Sequence, residues 1–296
     1  MTLEHDVDIM MIGHFAQDRL VVDGHSEYAS GGAVYYGSVA LRRLGVDVAV
    51  VTRLHTDDFP LLDELKQEGV QVCAVAAPAT SGIENSYRSV DMERRLCKLM
   101  SFAGPYQPAE IPDLSARIYL VASIIAGEVD LSLLKSLAQR GPVAIDIQGF
   151  VRVHDNGDLV FRQWPDMEEG LSYVTYLKLD RAEAELLTAQ TDLQLAARQL
   201  AEYGPREIVI THSTGVIVLA EGQIHQAPFT PRSLAGRTGR GDTCFATYLG
   251  CRLNCSPEEA TRLAGAVTTL KQEQPGPWHG TLADAEALVA RRQVEN

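Results

Sequence analysis

The chain contains no apolar run long enough to cross a bilayer. Its early apolar stretch, Ile9-Met-Met-Ile12, is short and follows acidic residues, so the sequence reads neither as a membrane protein nor as one with a signal peptide. Positive charge is in short supply: 26 Lys and Arg against 39 Asp and Glu leave a net charge of −13, with a pI near 5.0. Nucleic acid or an acidic membrane as the main partner would need a basic face, and the composition argues against both. Any anionic ligand must therefore be held by a local site. The five cysteines are odd in number and lack CxxC spacing. Cys251 and Cys255 lie one turn apart in a helical stretch, but no His or Cys pair accompanies them to complete a zinc site. A reducing cytoplasm is the expected compartment. Also missing are a GxxxxGK[ST] phosphate loop, HExxH, GxSxG, and GxGxxG after the first strand, which removes the commonest competitors for an α/β chain of this size.

What is present is alternation of strand and helix patterns over 296 residues, a length that suits one layered α/β unit with an appendage. Val7 to Gly13 has the continuous apolar pattern of a buried parallel strand. Leu20 to Ser30 alternates about Asp23-Gly24, a two-residue hairpin signal. Gly31-Gly32 opens a helix over Ala33 to Leu44, stopped by Gly45. Val46 to Arg53 reads as a strand, Asp57 to Glu68 as a helix and Val70 to Ala76 as a strand. Asn85 to Met100 alternates without a helical stripe, with Asp91-Met-Glu-Arg94 as its turn. Residues about 19–30 and 84–101 are thus expected to form a small β lid outside the main sheet, the alternative being an extension of that sheet's edge. A lid would keep water from a reactive group.

From Ile118 onward, strands (118–122, 142–147, 174–179, 207–211) alternate with helical segments such as Val129 to Arg140. This pattern predicts a mainly parallel sheet with helices on both faces. Val216 to Ala220 should pair with Gln223 to Ala227 across Glu221-Gly222. Ser256-Pro-Glu-Glu259 combines an N-cap, Pro at N1 and a capping-box Glu, and starts a helix running to about Lys271.

In open α/β sheets ligands bind beyond the carboxyl ends of strands, and the chemistry-bearing residues fall there. Asp18 follows the first strand, placed either to hold polyol hydroxyls or as a solvated turn acid. Asp146-Ile-Gln-Gly-Phe-Val-Arg152 is a polar cluster, read as ligand contacts or as a salt-bridged loop. Asp180 and Glu183 have capping-box spacing, and as paired acids also suit Mg²⁺ held through water. The stretch Ser233 to Leu249 joins Gly236, Gly239 and Gly241 to Asp242 and then to a helix. A helix N-terminus favours negative charge, so a carboxylate there is either a cap or a base beside an anion site.

Thr238-Gly-Arg-Gly-Asp242 resembles the DTxGAGD signature of the ribokinase-like, or PfkB, family of sugar and nucleoside kinases. Gly236 and Arg237 stand where that family usually has Asp-Thr, and Arg240 replaces Ala. Gly31-Gly32 and the helix after it resemble the family's GGxxxNxAxxLxxLG element, with Tyr36 in place of Asn. The DIQGFVR string resembles DxQxxxR of the inositol-kinase-like branch, and Asp180 to Glu183 is a partial match to NxxE. The resemblance spans roughly residues 7 to 280 and implies a ribokinase-like α/β fold with an ATP- and Mg²⁺-dependent phosphotransferase activity on inositol, a related cyclitol or a sugar acid.

By that resemblance Asp242 is the base, with Gly239, Arg240 and Gly241 around the transferring phosphoryl. Asp18, Gly31, Gly32, Asp146, Gln148 and Arg152 contact the acceptor. Thr211, Gly215 and Thr238 contact the nucleotide, and Asp180 and Glu183 the metal. Lid strands pair between subunits in some members, so a homodimer is consistent with the family. A nucleoside kinase of the same fold, or a nucleotide-binding sensor without turnover, is the alternative, the latter favoured by Gly236 and Arg240.

Overall fold

Along the first strand, alternate side chains enter two different cores. Ile9 and Met11 join one apolar cluster, whereas Met10 and Ile12 join the other. A strand apolar on both sides needs cover on both sides, which places it inside a three-layer unit. The computed structural model describes residues 5–88 and 91–295. In chain order the strands are β1 (Val7–Ile12), β2 (Ala16–Val22), β3 (His25–Gly31), β4 (Val48–Leu54), β5 (Gln71–Ala76), β6 (Gly82–Arg88) and β7 (Asp91–Ser101). They continue with β8 (Ala116–Val121), β9 (Val143–Asp146), β10 (Arg152–Asp155), β11 (Asp158–Phe161), β12 (Tyr176–Asp180), β13 (Glu207–His212), β14 (Gly215–Ala220) and β15 (Gln223–Pro228).

Nine of them form the main sheet in the order β15-β14-β13-β12-β9-β8-β1-β4-β5. All neighbours from β13 to β5 are parallel; only the β13-β14-β15 meander is antiparallel. Helices Ala33–Arg43, Arg240–Arg252 and Pro257–Gln272 cover one face. Helices Leu131–Arg140, Arg181–Thr188 and Leu193–Ala201 cover the other. No helix among the described residues is long and apolar enough to cross a membrane.

The remaining six strands form a separate sheet, β10-β11-β7-β6-β2-β3. Its β2–β3 hairpin turns at Asp23 and Gly24, both with positive φ (48° and 85°), the two-residue geometry that this pair favours. The other hairpin differs from the sequence-based expectation. Asp91 to Arg94 lie within β7 rather than in a turn, and Arg88 pairs with Asp91; residues 89 and 90 lie outside the described residues. β10 and β11 were not expected at all. The segment expected as one helix over Asp57 to Glu68 is a 3₁₀ stretch, Thr56–Leu62, and then a single α-turn, Asp63–Gln67. Pro60 lies inside it and cannot donate to an α-helical ladder.

The two sheets meet above the carboxyl ends of β1 and β8, and a buried carboxylate fixes that junction. Glu128 is fully buried. Its Oε1 accepts from the N–H groups of Ile124 (2.7 Å) and Ile125 (2.9 Å), and its Oε2 from that of His14 (3.1 Å). Glu128→Ala would strand three buried donors, and we expect a loss of roughly 2–4 kcal/mol in urea denaturation. A change below about 1 kcal/mol would show that water or a shifted loop replaces the carboxylate.

Candidate active site

A cavity of about 320 Å³ opens at the carboxyl edge of the main sheet, beneath the second sheet, and Asp18 and Asp242 both line it. Its walls come from separate elements. β2 and β6 bring Asp18, Ile83 and Asn85. The helix Ala33–Arg43 and its cap bring Gly32 and Tyr36. Lys178, Asp180 and Thr211 arrive from β12 and β13 of the main sheet, Gln148 from the helical turn after β9, and Arg152 from the start of β10 in the second sheet, while residues 237–242 close the far side. A larger hollow of about 590 Å³ between β15 and the last two helices contains none of these residues.

The helix beginning at Arg240 is capped by Gly239, whose φ of 79° lies in the left-handed region. A Cβ there would sit 2.2 Å from Cγ of Tyr36, so this glycine is required both by its backbone and by the ring packed against it. Asp242, in the first turn, is half-buried. Burial pushes its carboxyl above the ordinary aspartate range; Lys178 pulls it down, Asp146 adds to the rise, and Arg152 and Lys271 oppose it.

Lys178 was not singled out in the sequence, although a lysine inside the apolar strand Tyr-Leu-Lys-Leu-Asp (176–180) is a legible signal. It is buried, and its Nζ donates to Oδ2 of Asp146 at 2.8 Å. Burial alone would lower its pKa, but Asp146, Glu183, Asp242 and Asp180 outweigh it and hold the ammonium well above the usual lysine range. Tyr36 stays a neutral phenol, because burial and the carboxylates of Asp242 and Asp18 all disfavour its ionisation.

Of the residues expected from the sequence, Asp18, Gly32, Gln148, Arg152, Asp180, Thr211, Thr238, Gly239, Arg240, Gly241 and Asp242 line the cavity. Asp18 also bridges strands, its Oδ1 accepting from Ile83 N at 3.1 Å. Arg152 is buried, and its Nε donates to Ile124 O at 2.8 Å.

Four expected residues do not face the cavity. Gly31 lies behind Asp18, whose Oδ2 would be 2.6 Å from a Cβ there. Asp146 sits beneath the floor, accepting from Gln148 N at 3.1 Å as well as from Lys178. Glu183 is buried in a reciprocal cap, with Asp180 N donating to its Oε2 (2.7 Å) and its own N to Asp180 Oδ1 (2.9 Å); burial raises its pKa, against the pull of Lys178. Gly215 is a sheet residue of the β14–β15 pair, close to Ala227 O.

The chain belongs to the PfkB family of carbohydrate kinases, whose model matches residues 6–282. It is similar to a solved pyrophosphate-dependent kinase of the ribokinase family in a sulfate complex, with 38% identity, 94% of this chain and 99% of that one covered, and a TM-score of 0.88. A structure described as the pyrophosphate-dependent kinase with a pyrophosphate analogue and myo-inositol is 37% identical, again over 94% of this chain and 99% of that one, with a TM-score of 0.87. A cytidine kinase of Thermococcus kodakarensis is 26% identical over 270 residues, 87% of this chain and 93% of the relative. The fold is accordingly ribokinase-like, and the protein is a phosphotransferase.

The raised pKa of Asp242 has a consequence for stability. An acid whose folded pKa is raised contributes stability below its unfolded pKa and loses that contribution as pH rises through the folded value. Asp242→Asn, neutral and of the same shape, should therefore melt higher than the wild type at pH 7, with the difference shrinking as pH falls towards 4. A variant that melts lower at neutral pH would show that the cations around Asp242 fully compensate its burial.

Proposed function

We propose that the protein transfers a phosphoryl group from pyrophosphate to a hydroxyl of a small cyclic polyol, with inositol, a related cyclitol or a sugar acid as acceptor. The observation that carries this reading is the sharing of one cavity by Asp18 and Asp242 with the loop Arg237–Gly241 and the ammonium of Lys178. Asp18, Gln148 and Arg152 hold the acceptor's hydroxyls. Asp242 takes the proton of the attacking hydroxyl. As the new O–P bond forms, the bridging P–O bond of the donor breaks and inorganic phosphate leaves. First-turn N–H groups at Gly239 to Asp242, with Arg240 and Lys178, stabilise the charge on the transferring group, which is the main demand of such a reaction. Asp242 need not be a strong base, because in a loose transition state the proton leaves late.

The donor expected from the resemblance is ATP, and two features favour pyrophosphate. The pyrophosphate-dependent relatives are 37–38% identical to this chain over nearly its whole length. Four cationic side chains, those of Arg152, Lys178, Arg237 and Arg240, line the cavity together with Thr211, Thr238, Gly239 and Gly241. A purine needs an apolar slot, whereas a pyrophosphate needs donors and positive charge. Thr211 and Thr238 then serve the donor's phosphates.

A magnesium ion would neutralise donor phosphates when bound. Among the described residues no group of three or more His, Cys, Asp or Glu side chains is arranged to hold a metal, which suits an ion held mainly by phosphate oxygens and water. Asp180, in the cavity wall, is the residue to hold it through water, and Glu183 braces Asp180. The six-stranded sheet acts as the lid.

The relative that phosphorylates cytidine makes a nucleoside acceptor the second reading. Purified protein offered pyrophosphate or ATP, with myo-inositol, other polyols, sugars and nucleosides, separates these readings by phosphate or ADP release. We expect turnover with pyrophosphate and a cyclitol, at a kcat/KM at least ~10-fold above that with ATP, a difference of about 1.4 kcal/mol in transition-state binding. A preference for ATP would overturn the donor assignment, and turnover only with nucleosides the acceptor assignment. Asp242→Asn should lower kcat by ~10²–10⁴; near-normal turnover would remove Asp242 as base.

A further inference from the structure

The helix Pro257–Gln272 sends one charged side chain inward at its last turn. Lys271 is 2% exposed, and its Nζ donates to Gly236 O at 2.5 Å and also to Thr238 O. The same Nζ lies 5.0 Å from the centre of the Tyr36 ring. The loop is tied to this helix end from its own side too, since Gly236 N donates to Gln272 O at 2.8 Å. Gly236 leaves no space at that contact, because a Cβ would fall 1.7 Å from Gln274 O. Burying an ammonium is expensive, and a lysine used only for packing would be better replaced by an apolar side chain of its length.

The peptide plane says what this arrangement accomplishes. In a trans peptide the carbonyl and the next residue's N–H point in opposite directions, and none of the described residues has a cis peptide bond. With Gly236 O and Thr238 O turned towards Lys271, the N–H groups of Arg237 and Gly239 turn the other way. Arg237 and Gly239 both line the cavity. Without the ammonium, those carbonyls would be free to rotate into the cavity and meet the donor's phosphates as like charge.

We propose that Lys271 is the positioning residue of the donor cradle: by holding the carbonyls of Gly236 and Thr238 on the far side of the loop, it aims the N–H groups of Arg237 and Gly239 at the phosphoryl donor. The inference rests on the reading of residues 237–242 as the donor site. It also accounts for the departure at Gly236, since a loop seated this close to the helix end has no place for an aspartate side chain at position 236.

The test compares Lys271→Met, which keeps length but not charge, with Lys271→Gln, which keeps one donor. Steady-state kinetics are measured with pyrophosphate and myo-inositol varied separately, alongside thermal melting. We expect Lys271→Met to lower kcat/KM for pyrophosphate at least 10-fold while KM for inositol changes less than 2-fold, with Lys271→Gln intermediate. Equal losses for both substrates, or unchanged kinetics in a folded variant, would overturn the proposal. Should Lys271→Met fail to fold, Lys271→Gln alone decides, by whether its loss falls on pyrophosphate or on both substrates. Absence of turnover in the wild type with every donor would instead defeat the reading of the site itself.

Discussion

Four carboxylates, those of Asp146, Asp180, Glu183 and Asp242, act on one buried ammonium, Lys178. Removing any of these charges from water is costly, and the burial is tolerable only because they are removed together. Asp146 takes the direct hydrogen bond, while Asp180 and Glu183 satisfy each other through the helix cap. Asp242 is left paired by field rather than by contact, and its pKa is pushed upward, which poises it to accept a proton. The strand β12 is therefore the electrical centre of the molecule as well as a central strand of its sheet.

The glycine loop answers the same constraint from the opposite side. Backbone amides carry partial positive charge without the hydration that a lysine would have to lose, so they can be crowded against a phosphate at little cost. That use of the main chain requires glycine where the ring of Tyr36 presses on position 239. Tyr36 is neutral and bulky, and it gives Gly239 a flat surface while Lys271 sits over its ring. A smaller polar residue there would leave the loop unsupported.

The parts of this organisation governed by short-range rules are legible in the chain itself. Asp23-Gly24 announces its hairpin, and the capping boxes at Asp180 and Ser256 form as their spacing requires. The β-α alternation after Ile118 yields the parallel sheet, and Asp18 and Asp242, 224 residues apart in sequence, line one cavity beyond the carboxyl ends of the strands, where the topology rule puts ligands. Asn156-Gly157, with φ of 52° and 97°, is an equally readable turn between β10 and β11, but a reading centred on the polar string 146–152 passes over it. Other features depend on contacts that no local pattern encodes. Lys271 sits at a helical position like any surface lysine, and only the return of a loop 35 residues away makes it internal. Gly215 occurs in a loop-like Thr-His-Ser-Thr-Gly string and is nevertheless consumed by strand pairing.

Asp18 belongs to the six-stranded sheet and Asp242 to a helix on the main one. On the proposed function, the two carboxylates would act as the jaws of a calliper whose arms are whole layers of the fold. Asp18 also accepts from Ile83 N, so a molecule that grips Asp18 pulls on β6 as well as β2. Selection by size would then need no dedicated gate: an alcohol too short to span the jaws would leave the second arm unengaged, and one too long would keep the layers apart and the reacting oxygen wet.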